Sequence, residues 1–346
     1  DYVVYLLTGE MVGNPSLSAR TGLLDRNTRQ WSDEMLNLIS LSKDSLPEIR
    51  PQCSVAGYTT ESILEKTNIP SGTPVINSGH DHPCATFGCS ISNIGKIIDS
   101  TGTAEAINTL VNRPLSFKKV NNGSYDCYPY VIEDYYNLSG HLPQSGGLFE
   151  WMGRLVTGTK HDSYLTIGYM EELFSEALSS DVGARGIRII PFLEGSGSPW
   201  HKRNKSSSIL GIKSHHNRGD IIRAVFESTG FWLKSNVNYI SKITNHEYSE
   251  VISTGGGSKS NIWVQIKSAI LEKPFAIPII SEAAALGAAL IGGLAIGLYK
   301  DPEEATALDD ISWKRVFNEV EIEGYRSIFE SYKKYFTLAL ENEESE

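Results

Sequence analysis

Ile222, Val225, Phe226, Thr229, Leu233, Val237 and Ile240 recur at three- and four-residue spacing across residues 218–243, forming one continuous apolar stripe. That period predicts a single long helix with one buried face and a structural role. Strand-like runs flank it at 187–193 and 250–254, so the region around the helix reads as α/β.

Earlier in the chain, residues 96–100, 104–110 and 128–133 read as a strand meander, with Asn121-Asn122-Gly123 as turn chemistry before the last strand. Helices are expected at 147–156 and 163–178. A final helix at 322–340 carries Tyr325, Ile328, Phe329, Tyr332 and Phe336 on one face, and the acidic tail 341–346 is expected to fray. Before residue 92 the pattern differs: helices feed a single strand at Val75. Residues 1–9 read as the inside of a helix ending at Gly9, and Ser32 is placed to cap a short helix. A further short helix is expected at 60–66. The boundary is placed near Ser92, giving the tail of a first domain at 1–91 and a second domain at 92–346. Because the chain opens without Met and inside a helix, a preceding segment is expected.

Charge restricts the partners. Lys and Arg number 31 against 41 Asp and Glu, a net charge of −10, and no basic stripe interleaves with aromatics, which argues against nucleic acid. A phosphate ligand would be held by backbone N–H groups, helix N-termini and a metal. Four irregularly spaced cysteines make no disulfide framework, so a reducing cytoplasm is expected. The uncharged stretch 283–299 falls short of the roughly 20 residues that cross a bilayer and reads as a close-packed internal helix, not a membrane anchor.

Candidate chemistry begins at Val75-Ile76-Asn77-Ser78-Gly79-His80-Asp81-His82-Pro83, where an apolar run closes in Gly79 and delivers a carboxylate at the strand tip. Asp81 is the candidate base, with a turn-capping carboxylate as its plain structural reading. Three glycine turns could meet an anion: Ser100-Thr101-Gly102-Thr103 between strands, Ser145-Gly146-Gly147 opening a helix with Glu150 in it, and Gly255-Gly256-Gly257-Ser258-Lys259-Ser260 at a strand-to-helix junction. The last lacks the order of GxxxxGK[ST] and of GxGxxG. His80, His82, Cys84 and Cys89 form a rival zinc set of poor spacing, with Cys84 and Cys89 read as small core residues. His215-His216 reads as a solvated turn.

Taken together, these pieces resemble the FGGY carbohydrate kinases, the family of glycerol kinase, xylulokinase and gluconokinase. The likeness runs through Asp1–Gly9, Trp31–Glu34, Leu46–Ile49, Gly72–Val75, Gly79-His80-Asp81, Ser100–Thr103, Pro191–Pro199, Arg223–Ser228, Gly255–Ser260 with Trp263 and Gln265, and Glu282–Ala289. It implies the actin-like, ribonuclease-H-like pair of α/β domains, with ATP and a sugar or polyol in the cleft. Asp81 matches the general base and is also the residue expected to face Mg²⁺, directly or through water. His82 falls at a sugar-touching position, and Ala106 lines the same pocket. Gly102 and Thr103 match the turn at the terminal phosphate, Gly146 and Glu150 the helix beside the nucleotide, and Gly255, Gly256 and Ser260 the adenosine loop. Ser260 stands where glycerol kinases often have Asn.

The family opens with a strand and an Asp-x-Gly-Thr-Thr turn followed by most of its sugar contacts, and none of these is present. The first domain is therefore expected to be incomplete, and the acceptor is not named. The implied reaction is transfer of the γ-phosphoryl of ATP to a sugar, sugar-acid or polyol hydroxyl. A truncated or inactive kinase remnant and an actin- or Hsp70-like ATPase are the alternatives, and a homodimer is left open.

Overall fold

The computed structural model describes all residues except 121, 123, 161, 162, 281, 308–311 and 342–346. Asn121, Gly123 and the acidic tail from 342 onward thus lie outside the described residues.

The first helix, Tyr2–Thr8, ends where glycine predicts: Gly9 adopts φ 79° and donates its amide to the Tyr5 carbonyl. Ser32 caps Asp33–Leu38 by accepting from the Met35 amide. The chain then reaches β1 (Pro74–Asn77), which pairs antiparallel with Ser54–Tyr58. Immediately after comes α1 (Asp81–Gly88), so Asp81 is the first residue of a helix rather than the tip of a loop. Pro83 does not break this run. It falls in the first helical turn, where a missing N–H costs nothing, and an acid there suits the positive end of the helix.

The second part is built on β2 (Ile97–Thr101), β3 (Glu105–Val111), β4 (Asp126–Pro129), β5 (Tyr136–Leu142), α2 (Gly146–Thr157), α3 (Ile167–Leu178), α4 (Arg218–Thr244), β6 (Val251–Thr254), α5 (Asn261–Leu271), β7 (Phe275–Pro278), α6 (Ala283–Ala295), β8 (Trp313–Val316) and α7 (Ile322–Glu341). The strands form one seven-stranded sheet in the order β8-β7-β6-β2-β3-β5-β4. Its centre, β7-β6-β2, is parallel, and β2-β3-β5-β4 is antiparallel, with β5 between β3 and the edge strand β4. Two expectations are corrected here. The strand placed at 128–133 ends at Pro129, and β5 follows it unanticipated, because Gly140 interrupts the apolar face that alternates with Asn137, Ser139 and His141. The strand placed at 187–193 is confined to Arg188–Ile190.

The stripe on α4 is buried as its spacing requires, with Phe226, Trp232 and Leu233 inaccessible in the main core. The same helix buries Arg223, which donates to Glu227 (3.1 Å), Glu321 (2.6 Å) and the Tyr325 hydroxyl (2.8 Å) and so ties α7 to it. A smaller core joins Cys84, Phe87, Cys89 and Ile91 to Ile98, Leu110, Tyr130, Leu290 and Ile291. Within it α1 crosses α6 with almost no space between backbones. A Cβ on Gly287 would lie 1.8 Å from the Cys84 carbonyl oxygen, and one on Gly88 would lie 2.1 Å from that of Ala283. The uncharged stretch is therefore a packed helix seated against α1. Among the described residues no helix is long and apolar enough to cross a membrane.

Candidate active site

Asp81 is positioned from the far end of the first part. Asn14 donates to the carbonyls of Asn77 and Ser78 (3.1 and 3.2 Å), Asn77 donates back to the Gly13 carbonyl (3.2 Å), and Ser16 Oγ accepts from the His80 amide (3.0 Å). The loop between β1 and α1 is thereby fixed on both sides. Asp81 Oδ1 accepts from the His82 amide (2.7 Å) and lies 3.0 Å from His80 Nδ1, while its side chain stays 72% exposed. One carboxylate oxygen is thus left to a ligand. Burial pulls the His80 imidazole below its ordinary pKa, so it stands neutral beside that carboxylate at pH 7.

The proposed zinc set does not converge. The His80 and His82 rings stack on each other at 5.6 Å, whereas Cys84 and Cys89 are core residues whose thiols burial pushes up to about 12. Among the described residues no group of three or more His, Cys, Asp or Glu could hold a metal ion. His215 is exposed in a turn, and the half-buried His216 beside it accepts from the Lys213 amide at Nδ1 (2.8 Å) with Nε2 3.1 Å from the Arg185 carbonyl oxygen.

The three glycine turns do converge. They meet around a cavity of about 930 Å³. Gly102, Thr103, Gly146, Glu150, Gly256 and Ser260 line it, and Gly255 does not. Phe149, Trp151, Tyr164, Ile167, Met170, Phe174 and Trp263 supply an apolar and aromatic wall that the sequence reading missed, although Phe149 and Trp151 stand beside the glycine pair.

Hydrogen bonding redistributes the expected anion donors. Gly146 and Gly147 do not present free amides, because they donate to the carbonyls of Gly102 and Thr103 (3.0 Å each), and Ser145 likewise donates to Thr103 (2.8 Å). Helix α2 is thus bonded onto the turn. That contact is what requires glycine, since a Cβ on Gly146 would sit 2.4 Å from the Gly102 oxygen. Gly255 adopts φ +82° and approaches Thr101 in the same way, while Gly256 has nothing within 4 Å of where a Cβ would be and faces open space.

Beneath the cavity lies a charged cluster that the sequence reading did not find. Lys267 of α5, 2% exposed, donates to Asp99 Oδ2 (2.8 Å) and Thr101 Oγ1 (2.7 Å) and pairs with Glu105 Oε2 (3.0 Å). Ser145 Oγ donates to the same Glu105 oxygen (2.6 Å), and Glu105 Oε1 has no partner. Burial, with the Asp99 charge beside it, pushes the Glu105 carboxyl up, while the pairing with Asp99 and Glu105 keeps the Lys267 ammonium charged against its own burial.

Asp81 and His82 are not in the lining of this cavity, and the connection to them runs through a neighbour. A second cavity of about 590 Å³ is lined by Asp126, His141, Glu194, His201, Lys202 and Arg203, among others, and Glu194 belongs to both cavities. Asp126 accepts from Arg20 (2.9 Å), which lies over the Tyr128 ring, and Tyr128 in turn meets His80 edge-on. The hydrogen bond from Arg20 to Asp126 holds the guanidinium charged, and Asp81 adds to that effect. Ala106 sits directly opposite His141 in the β3–β5 pairing. Of the polar residues of β5, His141 lines the second cavity, while Asn137 is bonded to Asn108 and Tyr128.

Residues 99–296 match the model for the C-terminal domain of the FGGY family of carbohydrate kinases, and residues 1–88 match that of its N-terminal domain. The chain is 24% identical over 337 residues to the xylulose kinase of Staphylococcus xylosus, covering 97% of this chain and 67% of that protein. It is 26% identical over 312 residues to the glycerol kinase of Clavibacter michiganensis, covering 88% of this chain and 58% of that protein. Among solved structures, a ligand-bound xylulose kinase from Lactobacillus acidophilus superposes with a TM-score of 0.88 at 25% identity, and a gluconate kinase from the same organism with 0.87 at 25% identity. Each covers 99% of this chain and 67% of the other. The chain thus spans between 58% and 67% of the length of these relatives.

Proposed function

The chain belongs to the FGGY family of carbohydrate kinases and has its actin-like, ribonuclease-H-like α/β fold, and from that premise we propose that it serves ATP-dependent phosphorylation of a sugar, sugar-acid or polyol hydroxyl. The observation that carries this reading is the meeting of three glycine segments around one cavity of about 930 Å³ with an aromatic wall. Such a cavity suits a nucleotide: the wall and the loop at Gly256 and Ser260 take the adenosine, and the turn at Gly102-Thr103 faces the phosphates. Gly146 contributes by close packing under the turn, and Glu150, fixed by Arg154 and the Leu165 amide, shapes the cavity beside it.

Asp81 is the general base in this reading. Its free carboxylate oxygen accepts the proton of the attacking hydroxyl, and the His82 amide holds the group in place. His82, exposed beside it, touches the acceptor. No cluster of three or more His, Cys, Asp or Glu among the described residues forms a protein-built metal centre, but Mg²⁺ arriving on a nucleotide keeps most of its ligands from water and phosphate and needs only one or two carboxylates. Asp81 offers that carboxylate, and bound Mg²⁺ would neutralise phosphoryl charge.

The test is phosphoryl transfer by the whole protein from ATP to a panel of ketoses, polyols and aldonates, followed by Asp81→Asn. Removing a general base costs about 10²–10⁴ in turnover. A variant within a few-fold of wild type would exclude Asp81 from that role. ATP turnover indifferent to every acceptor in the panel would favour an actin- or Hsp70-like ATPase instead.

A further inference from the structure

Three segments line the nucleotide-sized cavity, and each is anchored to the same buried ammonium. The turn is held through Thr101, whose Oγ1 accepts from Lys267 Nζ at 2.7 Å. The start of α2 is held through Glu105, which pairs with Lys267 at 3.0 Å and accepts from Ser145 Oγ at 2.6 Å. The third segment is the start of α5, the helix that carries Lys267 itself. One turn back on it is Trp263, a wall of the cavity, whose ring lies 5.4 Å from Nζ. Lys267 does not line the cavity.

Burying three ionisable groups for stability alone is a poor arrangement, because apolar residues of similar volume usually do as well. Glu105 Oε1 is even left without a partner. What an apolar trio cannot supply is direction: an ammonium has three N–H bonds, and here they point to Asp99, Thr101 and Glu105.

We propose that Lys267, with Asp99 and Glu105, is a positioning residue that fixes the Thr101–Thr103 turn, the start of α2 and the start of α5 in one phosphate-binding geometry. This rests on the nucleotide reading of the cavity. A purely structural trio predicts that binding recovers with stability, whereas a positioning trio predicts that it does not.

The experiment compares wild type, Lys267→Met, Ser145→Ala and a triple apolar variant (Asp99→Leu, Glu105→Met, Lys267→Met). Thermal unfolding, ADP binding by calorimetry and hydrogen exchange of the ligand-free proteins are measured together. Lys267→Met leaves two buried carboxylates unpaired and is the variant at risk of not folding, while the triple and Ser145→Ala variants remove that risk. In folded variants ADP should bind about tenfold more weakly, as expected for losing one or two directed hydrogen bonds. Exchange in segments 101–105, 145–149 and 256–263 should rise about as much. A triple variant that regains wild-type melting, ADP affinity and exchange overturns the proposal. If wild type binds no ADP, the nucleotide reading fails on its own, and exchange in the same three segments still decides whether the trio holds them.

Discussion

Gly287 and Gly292 lie on the same face-packed helix, α6, and the same substitution should have opposite effects at the two sites. Replacing glycine by alanine inside a helix ordinarily stabilises by about 0.5–1 kcal/mol through lost chain entropy. At Gly292 the nearest atom to a new Cβ is Ile76 Cγ1 at 4.0 Å, so that gain should be realised. At Gly287 the new Cβ would stand 1.8 Å from the carbonyl oxygen of Cys84, 2.7 Å from its carbon and 2.9 Å from the Gly88 amide nitrogen. These are backbone atoms of α1 and cannot rotate away. Relief requires the two helices to part by more than an ångström, and overpacking of this kind costs about 1–3 kcal/mol. The net prediction is a loss of about 1–2 kcal/mol for Gly287→Ala, beside a gain of a few tenths to 1 kcal/mol for Gly292→Ala. Urea denaturation followed by far-ultraviolet circular dichroism gives both values from the shift in midpoint at constant slope. Two variants with midpoints moved in the same direction would refute the reasoning, since only the α1–α6 contact distinguishes them.

Arg223→Met should cost about 3–5 kcal/mol, because it leaves the buried Glu227 carboxylate without its guanidinium, and the same urea titration reads the loss. Cys84 and Cys89, whose thiols burial pushes up to about 12, should resist iodoacetamide at pH 8 in the native protein and react only on unfolding, whereas half-buried Cys53 should label earlier; peptide mass spectrometry distinguishes them. Labelling of all three at one rate without denaturant would contradict the packing described.

What could be read in advance depended on how local the cause was. The Gly9 stop, the Ser32 cap, the α4 stripe and the α7 face follow from spacing or from one residue's stereochemistry. The glycine turns could be recognised as turns, but their amides could not be assigned. Whether Gly146 serves a ligand or the carbonyl of Gly102 depends on what stands opposite it in space. Strand β5 was missed because Gly140 interrupts the apolar face formed by Tyr136, Leu138 and Leu142, although polar and apolar residues alternate along it. The Asp99–Glu105–Lys267 cluster was missed for another reason: its members lie up to 168 residues apart, and isolated charges in apolar runs carry no mark of burial. Asp81 stood out in the sequence as a carboxylate following a strand, yet the residues that fix its loop, Asn14 and Ser16, lie more than sixty positions upstream and could not be read from it.

The smaller core also says where this molecule would come apart. Cys84, Phe87, Cys89 and Ile91 precede the loop at 92–96, yet they pack with Ile98, Leu110, Leu290 and Ile291, which follow it. A fragment starting at that loop would leave one side of α6 bare to water and prone to aggregate. For recombination between relatives the transferable block is accordingly α1 with everything after it, so that the helix opening at Asp81 moves with the partner it packs against.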